Sequence, residues 1–534
     1  MFCNQKIIMK KKTLVILDII ENYNLFEKGT KFITLNKGLI NLDSCEQIYF
    51  KNFSKEKKNI YKTLISKLSK VISRNKTNDN SLIELEVNNL RNDRYDFIDR
   101  IINLAIIKKI IISNKFNKIK IISDNKNTLH IFDKLNIEIE KIDLSKKEKK
   151  LNLFKIKLLK FYLKTLFVVI FLRLIKKKRI QENISETYFS INPNKFQYHK
   201  KNLDKEISFN FLLTDETHLN HNIFEIYKII KNQKFKNIIN IENFISIKYL
   251  IILILKTLFL KIEYNFNLDD FKINDLSFKK EIKYLYLISF FNRSKLDIYN
   301  NAISLFLRKF NIKTVHMYLF EYNFGFYLIN KIKCFSKKIK IYGYQHGIFS
   351  ENLMWLDLLR LDKNKKNYLP NKIIASNIYS AEDYKKKIAN IPVEINKKNQ
   401  IKNQIFVNEI KVKNNSKNDI IFPGLHDIND LYFFFKNIQK SNKKKFFFKL
   451  HPKNKHKFKN IKNVNMLTSH KIKDFSKIII SQTSSLIYDF LKMKKKFFVL
   501  NIDYKSDLLN KKILKNTRLF NKKKPHDKKI TFKI

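Results

Sequence analysis

The chain reads as an α/β protein built on parallel sheets, and three features of its sequence point that way. Short, β-rich apolar runs recur along it, among them Thr13–Asp18, 118–124, 313–320, 338–344 and Lys477–Ser481. Stretches with helical spacing of apolar residues alternate with them, and strand–helix–strand alternation builds parallel layers. Over 534 residues, a hydrophobic content of 44% and an aromatic content of 13% supply packed cores for two or three domains and exclude global disorder.

The elements follow in order. After the strand at Thr13–Asp18 come polar loops and a helical stretch at 81–108, where Phe97, Ile98, Ile101, Ile102 and Leu104 recur between charges. The run 118–124 is the next strand. Two segments then break the rhythm, 151–179 and 249–255, strongly apolar but punctuated in the first case by Lys155, Lys157, Lys160, Lys164 and Arg173. The apolar run 165–172 is far short of the roughly 20 residues needed to cross a bilayer. Two readings stay open for these segments: helices lying in a membrane interface with snorkelling lysines, or ordinary core helices. Between them, 188–191 and 209–213 read as strands.

From residue 283 the alternation is regular: strand 284–290, helix 296–310, strand 313–320, helix 324–333, strand 338–344. Leu369-Pro370-Asn371 has the composition of a boundary. A connecting strand at 372–375 and helix at 381–389 follow. Then come strand 419–422, helix 429–439, strands 446–450 and 477–481, helix 484–493 and strand 497–501. The expected organisation is an N-terminal domain over 1–370 with an insertion at roughly 150–280. A second domain covers 371–510, and a basic tail, 511–534, is either loose or crosses back onto the first domain.

Charge and cysteine content narrow the function classes. The formal net charge is +60, from 108 Lys+Arg against 48 Asp+Glu. The basic residues are nearly all Lys, whereas readers of phosphate and base edges favour Arg. With Gly and Pro at 6 each, the excess reads as compositional drift over solvated faces. If the charge has a specific partner, an anionic membrane surface fits better than nucleic acid. Cys3, Cys45 and Cys334 lie far apart and form no disulfide framework or CxxC site, which points to a cytoplasmic protein, in contact with the inner membrane at most peripherally. Thr13–Asp18 is too short for a signal-peptide core. His218 and His221 have no third ligand nearby, and no GxGxxG or P-loop occurs, which disfavours metal, dinucleotide and P-loop readings.

Three constellations carry chemistry. In the run Lys477 to Leu491 a buried strand ends at Ser481 and a hydroxyl cluster, Thr483, Ser484 and Ser485, opens a helix. Unpaired N–H groups and the helix dipole make such a start an anion site. In Phe446 to Pro452 a short strand delivers Lys449 and His451 to its carboxyl end. In Lys340 to Gly347 a strand ends in His346 beside Gly347, which lets backbone or ligand approach. A neutral His there suits removal of a proton from a hydroxyl. Glu321, at the end of the preceding strand, is an alternative base or an orienting partner. Pro423-Gly424 forms the loop after the first strand of the second domain.

In this order and spacing, Tyr344 to Gly347, Leu369-Pro370, Lys449 to Pro452 and Ser481 to Phe490 resemble bacterial surface-polysaccharide glycosyltransferases of the GT-B architecture. The C-terminal pair is also similar to CDP-glycerol glycerophosphotransferases and to capsule Kdo or sialic-acid-type transferases. The resemblance covers about 283–503. It implies two Rossmann-like domains facing a cleft, donor-phosphate contacts from His451, Ser484 and Ser485, and a base at His346. It departs from the glycerophosphotransferases where Gln482-Thr483 precede Ser484 and in Pro423 to Asp427, which favours a sugar donor. The implied substrates are a nucleotide-activated sugar and a glycan or lipid-linked acceptor, with no further cofactor. No DxD pair sits at a strand end in the C-terminal half, so no catalytic metal is expected, and Lys449 with the helix start carries the leaving-group charge. The competing expectation is a basic nucleic-acid- or membrane-binding protein on a non-catalytic α/β scaffold.

Overall fold

The computed structural model describes residues 12–18, 30–35, 46–48, 54–74, 97–144, 152–174, 184–190, 208–210, 223–231, 238–260, 271–318, 320–345, 347–349, 367–396, 407, 410–413, 415–423, 445–450, 464–467, 474–482, 484–500, 509, 512–513 and 518–520. Among them, three large sheets carry the fold, and every strand pairing in these sheets is parallel.

The first sheet takes β1 (Thr13–Asp18), β2 (Lys31–Thr34), β3 (Glu46–Gln47), β4 (Lys118–Ser123) and β5 (Glu138–Asp143), in the order β3-β2-β1-β4-β5. Helices α1 (Ser54–Arg74), α2 (Phe97–Ser113) and α3 (Lys126–His130) belong with it. Residues Leu14 to Asp18 of the central strand are all buried, because a parallel strand covered on both faces has no solvent side to alternate with. The edge strand β5 is instead polar, and its Glu138 and Glu140 pair with Lys118 and Lys120 of β4.

The middle sheet joins β6 (Glu186–Ser190), β7 (Ser208–Asn210), β8 (Ile238–Asn240), β11 (Thr314–Tyr318), β12 (Lys340–Tyr344), β13 (Lys372–Ala375) and β14 (Val393–Ile395), in the order β14-β13-β12-β11-β6-β7-β8. Its helices are α4 (Asn152–Leu174), α5 (Ile223–Lys231), α6 (Ile247–Leu258), α7 (Lys279–Leu296), α8 (Tyr299–Lys309), α9 (Asn323–Phe335) and α10 (Ile378–Lys387). A small antiparallel hairpin, β9 (Lys272–Ile273) and β10 (Leu276–Ser277), turns through Asn274 and Asp275, both at positive φ. This hairpin and the start of α7 return to the first core, where Phe271, Ile273, Leu276, Phe278, Ile282 and Leu285 are buried.

The third sheet has the order β18-β17-β16-β20-β21-β22, from β16 (Asn418–Phe422), β17 (Lys445–Phe448), β18 (Val464–Met466), β20 (Lys477–Ser481), β21 (Phe498–Leu500) and β22 (Arg518–Phe520). Beside it lie a two-strand pair, β15 (Lys411–Val412) with β19 (Asp474–Phe475), and helix α11 (Leu486–Lys492).

Numbered from its own first strand, each sheet runs 3-2-1-4-5, and the middle and third sheets extend that order. This is the doubly wound, Rossmann-like arrangement, in which ligands take the crevice outside the carboxyl ends where local strands 1 and 4 lie side by side. Those pairs are β1/β4, β6/β11 and β16/β20.

The α/β class with parallel sheets is as the sequence predicts; the partition differs. Among the described residues there are three large sheets rather than two, residues 13–143 forming one of their own. The expected boundary at 370/371 falls inside the middle sheet, since Leu369 is buried in its core and β13 and β14 carry it to Ile395. Strands β6, β7 and β8 of that sheet come from the expected insertion. The stretch 284–290 is not a strand but part of α7, where Ile282, Leu285, Ser289 and Leu296 are buried at helical spacing. In the tail, 518–520 adds the edge strand of the third sheet, while Lys512 reaches back to Glu382 of α10 at 2.7 Å. The helix expected at 429–439 lies outside the described residues.

A single position fixes how closely β12 packs. A Cβ at Gly343 would lie 2.7 Å from the Phe320 ring and 2.8 Å from the Pro370 ring. Gly343→Ala is expected to lower stability by about 1–3 kcal/mol, read as a fall in the urea midpoint at constant m-value. An unchanged midpoint would mean that Phe320 and Pro370 withdraw without cost.

Candidate functional site

Of the sequence-predicted donor residues, Lys449, Ser484 and Ser485 fall on the carboxyl edge of the third sheet. β20 ends at Ser481, beside Phe422 and Pro423 at the end of β16, so the turn from Ser481 to Ser485 stands at the strand 1/strand 4 position. Ser481 and Gln482 are buried, Ser484 is half-buried and Ser485 is exposed. The Ser484 amide donates to the Ser481 carbonyl at 3.0 Å, and the Ser484 hydroxyl accepts the Leu486 amide at 3.4 Å. Ser485 occupies the N-cap position without a side-chain capping bond. The helix it opens has only 7 residues, shorter than the expected 484–493, so its dipole is weak, and the Ile487 and Tyr488 amides donate back to the Ser484 and Ser485 carbonyls.

Lys449 follows β17 on the other side of β16, half-buried, its amide donating to the Ile421 carbonyl at 3.1 Å. Parallel register therefore puts Lys449 and the Ser481–Ser485 turn on one edge of one sheet. His451, Thr483 and Gly424 lie outside the described residues, as do His346, His218 and His221.

On the middle sheet, Phe320 and Glu321 follow β11 at the corresponding carboxyl edge, and Gln345 and Gly347 follow β12 beside them. Glu321 is fully buried and accepts a hydrogen bond from the Tyr384 hydroxyl. That bond ties the carboxylate to α10, which carries Tyr384. Tyr384 in turn stacks on Phe349, ring centroids 3.6 Å apart.

Gln345 ties the end of β12 to the end of β13 and the start of α10. Its side-chain oxygen accepts the Ser376 amide at 2.9 Å, and its amide nitrogen donates to the Gly347 carbonyl at 2.8 Å and the Ser380 hydroxyl at 3.0 Å. Ser380 lies in the first turn of α10, which Asn377 caps by accepting the Ser380 amide. From the third sheet, the Tyr488 hydroxyl lies 3.2 Å from the Ser380 hydroxyl and donates to the Phe349 carbonyl at 3.4 Å. Ile348 is buried in the third core and Phe349 in the middle one. Both α10 and α11 start at carboxyl ends of strands, so the carboxyl edges of the two sheets meet at this contact. Burial pushes the Tyr488 hydroxyl up to about 12, which keeps it a donor over the working pH range.

Sequence reasoning missed Ser380 and Tyr488, whose contact links residues 108 apart. It also missed a chain across the middle sheet. His316 bonds the Tyr344 hydroxyl through Nδ1 at 2.9 Å and Glu186 through Nε2, and it stacks on Tyr188. On the first sheet, Arg100 reaches Asp18 and Thr128, and the Ser123 hydroxyl donates to Asp18 at 2.6 Å, again where local strands 1 and 4 end. Period-2 spacing (His316 with Thr314 and Tyr318) is the signal that could have put His316 on one face. Among the described residues, no group of three or more His, Cys, Asp or Glu could hold a metal.

No family model matches the chain, and no curated protein matches it. A solved structure, Glycyrrhiza uralensis UGT73P12 complexed with glycyrrhetinic acid 3-O-monoglucuronide, is similar over 62% of this chain and 79% of that one, at 6% identity and a TM-score of 0.32. A likeness that slight carries nothing about activity.

Tyr488→Phe is expected to cost about 1 kcal/mol at pH 7 through loss of the hydroxyl's bonds. The sign with pH is fixed: the folded pKa is raised, so the folded state holds a proton that the unfolded tyrosine releases from its ordinary value of 10.0 upward. Stability from this group is therefore lost between the two values as pH rises. The melting-temperature gap between wild type and Tyr488→Phe should narrow above pH 10 and reverse in sign by pH 12; a constant gap would place the hydroxyl in water.

Proposed function

We propose that the chain is a glycosyltransferase, moving a sugar from a nucleotide-activated donor to a surface-glycan or lipid-linked acceptor. The observation that carries the reading is the meeting of two doubly wound sheets by their carboxyl edges, with a hydroxyl-rich turn at the strand 1/strand 4 position of one of them. Such edges are where open α/β sheets take nucleotides, and two facing edges provide separate seats for donor and acceptor. The motif order of the sequence supports the same reading.

Donor phosphates are assigned to the hydroxyl groups of Thr483, Ser484 and Ser485, to the Ser485 N–H, to Lys449 and to His451, with Gly424 allowing close approach of backbone. These groups take up the charge that develops as the nucleotide leaves. His346 is assigned as the base that removes the acceptor hydroxyl's proton as the hydroxyl oxygen bonds to the sugar and the bond to the phosphate oxygen breaks. Glu321 acts through Tyr384 and α10, as a positioning residue.

The first test is thermal melting with CMP, CDP or UDP. A bound nucleotide at 100-fold excess over its Kd stabilises by about 2.7 kcal/mol, and the shift should vanish in Ser484→Ala/Ser485→Ala. Indifference to every nucleotide, together with tight, salt-sensitive RNA binding, would replace the transferase with a basic binding protein. In a donor-hydrolysis or transfer assay, His346→Ala should lower kcat by about 10²–10⁴-fold while leaving the nucleotide-induced melting shift in place.

A further inference from the structure

Helix α4 carries apolar stripes on both sides. Leu158, Tyr162, Thr165, Val169 and Leu172, spaced by threes and fours, are buried against the middle core. On the far side Ile156, Leu163, Phe167, Ile170 and Leu174 follow the same spacing and are exposed, Phe167 by 52% and Leu174 by 78%. The neighbouring helices repeat the pattern. α6 buries Leu250 and exposes Ile252, Leu255 and, just past its end, Phe259 at 82%. α5 buries Ile226 and exposes Phe224 at 77%. These helices adjoin: the rings of Phe171 and Tyr227 lie 5.5 Å apart, and Arg173 donates to the Ile245 carbonyl just before α6. All three bury their inner faces in one core, and these contacts set their outer faces side by side.

Charge selects the occupant. α4 and α6 contain Lys155, Lys157, Lys160, Lys164, Arg173, Lys248 and Lys256 and no Asp or Glu, while α5 adds one exposed acidic residue, Glu225, beside Phe224. Large exposed apolar side chains among lysines, with acidic groups missing from both helices, match a bilayer that offers acyl chains beneath anionic headgroups. Among the described residues no helix is long and apolar enough to cross a membrane, and the lysines within α4 suit a helix lying flat with its lysine stems reaching outward. We infer that the outer face of α4, α5 and α6 docks on an anionic phospholipid surface. The inference is independent of the transferase reading, since it uses none of the residues at the sheet edges.

The test is flotation of the full-length chain with vesicles of phosphatidylcholine alone or with about 30% phosphatidylglycerol, at low and physiological salt. Wild type should float with the anionic vesicles. Leu163→Ser/Phe167→Ser/Ile170→Ser/Leu255→Ser, all at exposed positions, should lose at least about tenfold in apparent affinity with an unchanged circular-dichroism melt. Lys157→Gln/Lys160→Gln/Lys256→Gln, which leaves the apolar face intact and guards against misfolding of the first variant, should weaken binding to anionic vesicles only. Three results would overturn the inference. Wild type that stays unbound at low salt is one. Binding that is equal in the serine variant is another, since the overall charge then suffices. The third is a wild-type dimer in light scattering that the serine variant dissolves, which gives the face to a second copy of the chain.

Discussion

The Ser380 hydroxyl is a point at which two sheets are held together. It receives the Gln345 amide from its own sheet and meets the Tyr488 hydroxyl from the other. Gln345 is buried, and both its oxygen and its nitrogen are bonded; stranding either would cost about 1–3 kcal/mol. The loop through residue 347 is therefore tied in height to β13 and α10 on one side and to α11 on the other. Ile348 and Phe349 extend the same tie into apolar packing, one side chain per core.

The alternation of strands and helices was legible because central parallel strands are continuous apolar runs. Thr13–Asp18, Lys372–Ala375 and Lys477–Ser481 could hardly be anything else. Residues 284–290 misled because a run of alternating aromatics and aliphatics fits a strand as well as a helix over one or two turns. The burial of Ile282, Ser289 and Leu296 settles it for the helix, and those positions span a longer window than the run itself. Leu369-Pro370 has boundary composition, yet the Pro370 ring packs against Gly343 and the chain continues in the same sheet. Turn chemistry tells where a strand starts. It does not tell which sheet the strand joins, nor that 271–285 returns to the first core.

The candidate site shows the same division. Lys449, Ser484 and Ser485 were readable because each follows a recognisable strand end, and parallel register then places them on one edge. Ser380, Tyr488 and the Glu186–His316–Tyr344 chain were not, because their meaning lies in contacts between distant segments. Glu321 was legible in position but not in burial. A glutamate at a strand end reads as cleft-facing until Tyr384, 63 residues later, covers it.

The two readings of residues 151–179 and 249–255, core helix or interfacial helix, turn out to be compatible. A helix has room for two apolar stripes, and α4 uses one for the core while the other faces outward. The core that receives the inner stripe also contains Phe320, Phe349 and Tyr384, the residues that pack beneath the carboxyl edge of the middle sheet. Close-packed interiors transmit position rather than absorb it. An outer face resting on a bilayer would thus set the height and tilt of that edge relative to the lipid. For a lipid-linked acceptor, whose reactive hydroxyl stands at a nearly constant distance from the headgroups, such a setting replaces part of the orientation that the cleft must otherwise supply.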